Sequence, residues 1–325
     1  MCHVAAEEET AAFPDSLSFL LFKSRIGRHT KLHPFPGTIA KRPARMSRIH
    51  VGCDLTYQVR QSTVFLFQIM AARTNRQLIL SEELRLDPPL LAERCEISTD
   101  GNQLQRVVVD PCQFQVSYRA SVELMPETQN ANNIGESPIS QTPAHVLTYL
   151  NPSRYCESDL LARFAFEEFG QLYPGFSRVQ AICNWVFEHL DYTPGSTNAF
   201  TTAAGVLLQR TGVCRDFAHL AITLCRGIGI PARYVAGYAL DLHPPDFHGF
   251  MEAFLDGRWY LFDPTRLTSI LGLVRIGSGR DAADVSVATI TGNALLTQQT
   301  VWANRTTDNQ DPIDDGSGSN AVSTA

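Results

Sequence analysis

The chain has 325 residues, 44% of them apolar, with 27 basic and 33 acidic side chains and a net charge of −6. This is enough apolar material for substantial cores and two domains; the acidic balance offers no nucleic-acid surface, and no run approaches the roughly 20 apolar residues that span a bilayer. Eight scattered cysteines, without a CxxC pair or HExxH, predict neither a disulfide framework nor a zinc site and suit a reducing cytoplasm.

Residues 1–45 combine an acidic start, a short apolar run at 17–22 and a basic segment at 41–45. The acids argue against a secretory signal or transit peptide, so the segment is expected to be a disordered extension. From 46 to 125 the chain reads as short strands at 51–59, 64–70, 77–80, 94–98, 105–109 and 114–124, separated by turn residues such as Asp87-Pro88-Pro89 and Asp100-Gly101. Six strands of this kind predict a β-sandwich domain. It carries no acid pair or nucleophile arrangement, so its expected role is to pack against a cleft built elsewhere and shape it. Residues 126–145 are polar and rich in turn formers, which predicts a linker.

Residues 146–303 change character. A helix at 159–169 stops at Gly170. Ser177 is placed to cap a helix carrying Val179, Ile182, Val186 and Leu190, and Thr201 or Thr202 to cap a short one before Gly212. Residues 214–228 place Phe217, Leu220, Ala221, Leu224 and Ile228 at helical spacing, with Gly229 and Pro231 as stop signals. Strands follow at 233–240, 248–255 and 258–262. Helices first and antiparallel strands afterwards give an α+β domain. Residues 304–325 read as a disordered tail.

The chemistry concentrates between residues 214 and 263. Cys214 begins the helix, where unpaired backbone amides and the positive end of the dipole lower a thiol pKa and can bind a developing oxyanion. Asp256-Gly257 is a strong two-residue hairpin signal. It sets Leu255 opposite Arg258 and therefore Asp263 opposite Phe250, with His248 two positions further on the same face. Such diagonal neighbours lie roughly 7–8 Å apart at the backbone, so imidazole and carboxylate can meet. Nucleophile, base and orienting acid are thus Cys214, His248 and Asp263. Cys183 and Cys225 read as small core residues, Asp216 as a first-turn helix acid and His219 as a structural helix residue. His243, the rival base, precedes Pro244-Pro245 in a loop with no strand to fix its ring.

The run Gly212-Val213-Cys214-Arg215-Asp216-Phe217-Ala218, the stretch 226–238 (RGIGIPARYVAGY), His248 and the closing Trp259-Tyr260-Leu261-Phe262-Asp263-Pro264-Thr265 resemble the bacterial transglutaminase-like proteins of the cysteine-protease type, within the wider papain-like group. The resemblance runs from about 46 to about 303. It implies a papain-like, transglutaminase-like α+β catalytic core preceded by a β domain, and it puts the family's triad on Cys214, His248 and Asp263. It also implies a second oxyanion donor upstream of the nucleophile, for which Tyr192 is the candidate. One departure is Gly249-Phe250, where members commonly carry Ala-Trp. The expected activity is acyl transfer through a thioester on a peptide, protein or small amide substrate, with hydrolysis ahead of transamidation and a non-catalytic binding module as the other class. No cofactor, metal, nucleic acid or membrane partner is expected.

Overall fold

The computed structural model describes residues 47–97, 100–306 and 320–325. The extension expected over 1–45 lies outside them. In chain order, β1 (Ser47–Val59), β2 (Thr63–Phe67), β3 (Gln77–Asp87), β4 (Glu93–Glu96), β5 (Gln103–Val109), β6 (Gln113–Leu124) and β7 (Glu127–Asn130) precede helices α1 (Ala144–Leu147), α2 (Ser158–Phe169) and α3 (Phe176–His189). The two-residue strand β8 (Asp191–Tyr192), helix α4 (Ala203–Gln209), strand β9 (Thr211–Gly212) and helix α5 (Cys214–Gly227) lead to β10 (Ala232–Ala239), β11 (Phe247–Leu255), β12 (Arg258–Phe262) and β13 (Leu273–Gly279). The last strands are β14 (Ala288–Thr291), β15 (Ala294–Arg305) and β16 (Asn320–Ser323).

Two antiparallel sheets, ordered β15-β1-β6-β3 and β14-β2-β5-β4, form the expected sandwich. Alternation decides which side chains point inward. Phe65 and Phe67, two apart on β2, face Tyr57 of β1 and Phe114 of β6, with Tyr57 and Phe65 rings 5.0 Å apart. Each sheet is completed by a strand from the far end of the chain. β15 pairs with β1 and β14 with β2, so the segment after residue 287 returns to the first layer. Residues 320–323, read as part of a disordered tail, instead pair with β7, and β7 itself lies in the stretch read as a linker. Polar composition concealed both, because these short strands gain their stability from pairing with distant chain rather than from an apolar stripe.

The third sheet is antiparallel with order β12-β11-β10-β13, and α5 packs across β10 and β11. Phe217, Leu220, Ala221 and Leu224 of α5 are buried against Met251, Ala253 and Leu255 of β11. β13 is an edge strand whose outer backbone groups are buried, and side-chain amides of the sandwich satisfy them. Gln77 accepts from the Arg275 N–H (2.8 Å) and donates to its carbonyl (2.9 Å). Asn102 does the same for Ser278, at 3.0 and 2.8 Å. An edge that would otherwise leave unpaired polar groups thus docks the sheet onto the sandwich. Deeper in the same contact, the Tyr238 hydroxyl donates to the Ile69 carbonyl at 2.6 Å.

Helix α3 starts two residues earlier than a Ser177 cap requires. Gly175, at φ 132°, is the N-cap residue, and its N–H donates to Glu136 Oε1 at 2.9 Å. That backbone angle favours glycine. The carboxylate, also bound by the Arg178 side chain, anchors this helix start.

Candidate active site

The nucleophile candidate is the first residue of α5, and the sequence before it fixes that start. Val213 is extended at the N-cap, and the Asp216 carboxylate, at the third helical position, accepts the Val213 N–H at 3.0 Å. Thr197 and Arg215 also donate to Asp216, which is fully buried. Asp216 is therefore the local hydrogen-bonding acid that the sequence implies. It pins the turn ahead of Cys214 and, through Thr197, the loop that follows Tyr192. Cys214 is partly exposed, whereas Cys156, Cys183 and Cys225 are buried and burial pushes their thiols up, Cys156 to about 12. Among the described residues all seven cysteines are free.

The hairpin has the register its turn predicts. Leu255 faces Arg258 and Met251 faces Phe262, around Asp256 and Gly257 with φ of 46° and 76°. Two successive positive φ values make a type I′ turn, in which Asp-Gly fits without strain. The register brings His248, at the start of β11, to Asp263, just beyond β12. Nε2 of the ring lies 3.0 Å from Asp263 Oδ2, with the ring 2% exposed. The other nitrogen, Nδ1, is buried with no hydrogen-bond partner of standard geometry among the described residues. The Cys214 side chain acts on the same ring through both a hydrogen-bonding and a charge interaction. Burial opposes charging the ring, but Asp263 and then Cys214 outweigh it and push the imidazole up to about 10. The ring therefore holds a second proton more tightly than a free imidazole does.

Tyr192 reaches Cys214 by a separate route. The parallel pair β8 and β9 sets Tyr192 opposite Gly212, two residues before the helix. Its ring leans on Phe217, centroids 5.8 Å apart. The phenol interacts with both the Cys214 side chain and its backbone amide. Burial, then the charge of Cys214, push it up to about 12, so the hydroxyl keeps its proton and remains a donor. The Tyr192 hydroxyl therefore lies beside both the amide and the side chain of Cys214.

The remaining candidates have other surroundings. His219 is buried in α5, accepts the Ala282 N–H at 3.1 Å and stacks on Tyr155, which gives it a structural role. His243 stays on an exposed loop. A cavity of about 1090 Å³ opens behind Asp263, lined in part by Phe176, Gln180, Asn184 and Arg266. Among the described residues no three His, Cys, Asp or Glu side chains cluster as a metal site, and no helix is long and apolar enough to cross a membrane.

Thr265 escaped the sequence reading as a site residue. Its backbone N–H and hydroxyl both donate to Asp263 Oδ1, at 2.9 and 2.7 Å. The legible signal was Asp-Pro-Thr, since an aspartate commonly accepts a hydrogen bond from the backbone two residues on. The Gly249 departure also has a cause. The Tyr234 ring lies directly over the glycine, with its hydroxyl 2.5 Å from where a Cβ would sit.

Comparison with known proteins agrees with this architecture. Residues 47–145 match the family described as bacterial transglutaminase, N-terminal domain, and residues 166–264 match the transglutaminase-like superfamily. The chain is 38% identical to a solved "putative cysteine protease" from Cytophaga hutchinsonii, covering 87% of this chain and 99% of that one with a TM-score of 0.82. It is also 38% identical over 120 residues to an uncharacterised protein of Mycobacterium leprae, and 32% identical over 151 residues to one of Mycobacterium tuberculosis. Those matches cover 33% and 42% of this chain and 42% and 48% of the relatives, so the chain spans less than half the length of either.

Proposed function

Because the chain belongs to the bacterial transglutaminase-like and cysteine-protease superfamily with an N-terminal β domain, we propose that it is a cysteine-dependent acyl-transfer enzyme acting on an amide or peptide-like carbonyl. The observation that carries this reading is the His248 ring, buried, tied through Nε2 to Asp263 and acted on by the Cys214 side chain.

The reacting form is a thiolate–imidazolium pair, made when the Cys214 thiol passes its proton to His248 Nδ1. Cys214 Sγ attacks the carbonyl carbon, and negative charge gathers on the oxygen near the Cys214 amide and the Tyr192 hydroxyl. As the C–N bond breaks, His248 passes its Nδ1 proton to the departing amine, leaving a thioester on Cys214 and a neutral ring. Water then enters, gives a proton back to Nδ1 and releases the carboxylic acid, restoring the pair. Asp263 keeps the ring oriented throughout and stabilises it whenever it is charged. A second amine in place of water would give transamidation from the same intermediate. Hydrolysis is the favoured outcome because water is always present, and a required free thiol would suit a reducing cytoplasm.

The test is to incubate the full chain with peptidyl amides, with and without a labelled primary amine, using Cys214→Ala as control. Amine-independent product that vanishes in the variant supports hydrolysis. Label carried onto the acyl donor supports transamidation instead. No product and no thioester mass on Cys214 with any donor would leave the fold as a binding module.

A further inference from the structure

The carboxylate of Asp263 is held asymmetrically. Oδ2 faces His248 Nε2 at 3.0 Å, while Oδ1 takes two donors from Thr265, the backbone N–H at 2.9 Å and the hydroxyl at 2.7 Å. A hydroxyl has one proton to give. The Leu267 N–H donates to the same Thr265 oxygen at 3.2 Å, which orients the hydroxyl's own proton towards Asp263. The oxygen also lies 3.4 Å from His248 Nε2, so the ring N–H meets acceptors on both sides. Thr265 is buried, and these bonds form away from bulk water. The turn that makes them follows from sequence, because Pro264 fixes the backbone between acid and threonine and Arg266 adopts φ 56° to close the turn.

From this geometry we infer that Thr265 is a positioning residue: by occupying Asp263 Oδ1 with two donors it commits Oδ2 to the ring, keeps a permanent proton on His248 Nε2 and so leaves Nδ1 as the nitrogen that exchanges protons with sulfur. The inference rests on the proposed ion pair and adds what fixes its direction. Without the hydroxyl the carboxylate retains one backbone tether and can turn about its side-chain bond, and its hold on the ring weakens. Serine keeps the hydroxyl and loses only a methyl group, whereas valine keeps the shape and loses the hydroxyl.

The test follows the ¹⁵N shifts of the His248 ring against pH in the full-length protein with Thr265→Val and Thr265→Ser, with thermal unfolding recorded alongside. The readout needs no substrate. Above the ring's midpoint Thr265→Val should show a mixture of ring tautomers, with Nδ1 protonated in a share of the molecules, while Thr265→Ser keeps Nε2 protonated as the native protein does. Should valine destabilise the fold, Thr265→Ala and Thr265→Ser give the same comparison. A valine or alanine ring that keeps the native tautomer, or a serine variant that shows the mixture, overturns the role of the hydroxyl. A native ring that titrates near the ordinary value of about 6.5 removes the ion-pair reading beneath it, whatever the variants do.

Discussion

Gly249→Ala places a methyl group where Tyr234 already lies. A Cβ on residue 249 would sit 2.5 Å from the Tyr234 hydroxyl oxygen, 3.0 Å from Cε2 and 3.1 Å from Cζ. Carbon contacts are best at about 3.5–4.0 Å, so the ring must retreat by roughly 0.5–1 Å. It has little room, because Tyr234 is buried and also packs on the His219 ring, centroids 5.2 Å apart. Overpacking of this kind costs about 1–3 kcal/mol. Gly249 is absent from the glycines with positive φ, so the backbone imposes no penalty on alanine. On chain entropy alone the change would stabilise by roughly 0.4–1 kcal/mol. The sign of the effect therefore reports on Tyr234. In a double-mutant cycle read by urea unfolding, Tyr234→Leu should remove most of the cost of Gly249→Ala. Tyr234→Phe should remove only part, since the two ring carbons remain. Additivity within about 0.5 kcal/mol, or a stabilising Gly249→Ala in the native background, would refute the steric account of this departure from the family pattern.

Two other expectations are independent of it. Tyr192→Phe keeps the packing on Phe217 and deletes the hydroxyl, so turnover should fall by roughly 10²–10³ with KM little changed; steady-state kinetics showing an unaltered kcat would remove Tyr192 from the oxyanion site. Burial and then the Arg215 charge hold the His219 ring down at about 3, so it stays neutral in the fold while the unfolded chain takes up a proton below about 6.5. Stability should therefore decline as pH falls below that value, by about 2 kcal/mol at pH 5. Urea unfolding at pH 7 and pH 5 should show this loss in the native protein and a smaller one in His219→Gln, and equal losses would contradict the assignment.

The parts of the site legible in sequence were those fixed by local rules. Asp256-Gly257 set the hairpin register and hence the meeting of His248 and Asp263, and the apolar stripe from Phe217 to Leu224 set the helix that starts at Cys214. What stayed hidden depends on distant chain. β14 and β15 complete the sandwich by pairing with β2 and β1, more than 200 residues earlier, and Glu136 anchors the start of α3 from a stretch that reads as linker. Thr265 lay inside a recognised motif, yet its bond to Asp263 is visible only once the turn is built. Tyr234 over Gly249 needs the pairing of β10 with β11 before either residue explains the other.

The proposal that His248 and Asp263 activate Cys214 is tested most directly by iodoacetamide alkylation at neutral pH, located by peptide mass spectrometry, in the native protein and in His248→Gln. Native Cys214 should be labelled faster than the similarly part-exposed Cys95 and Cys112, and should lose that advantage in the variant. Cys214 labelled no faster than those two cysteines, or equally fast with and without His248, would contradict the account.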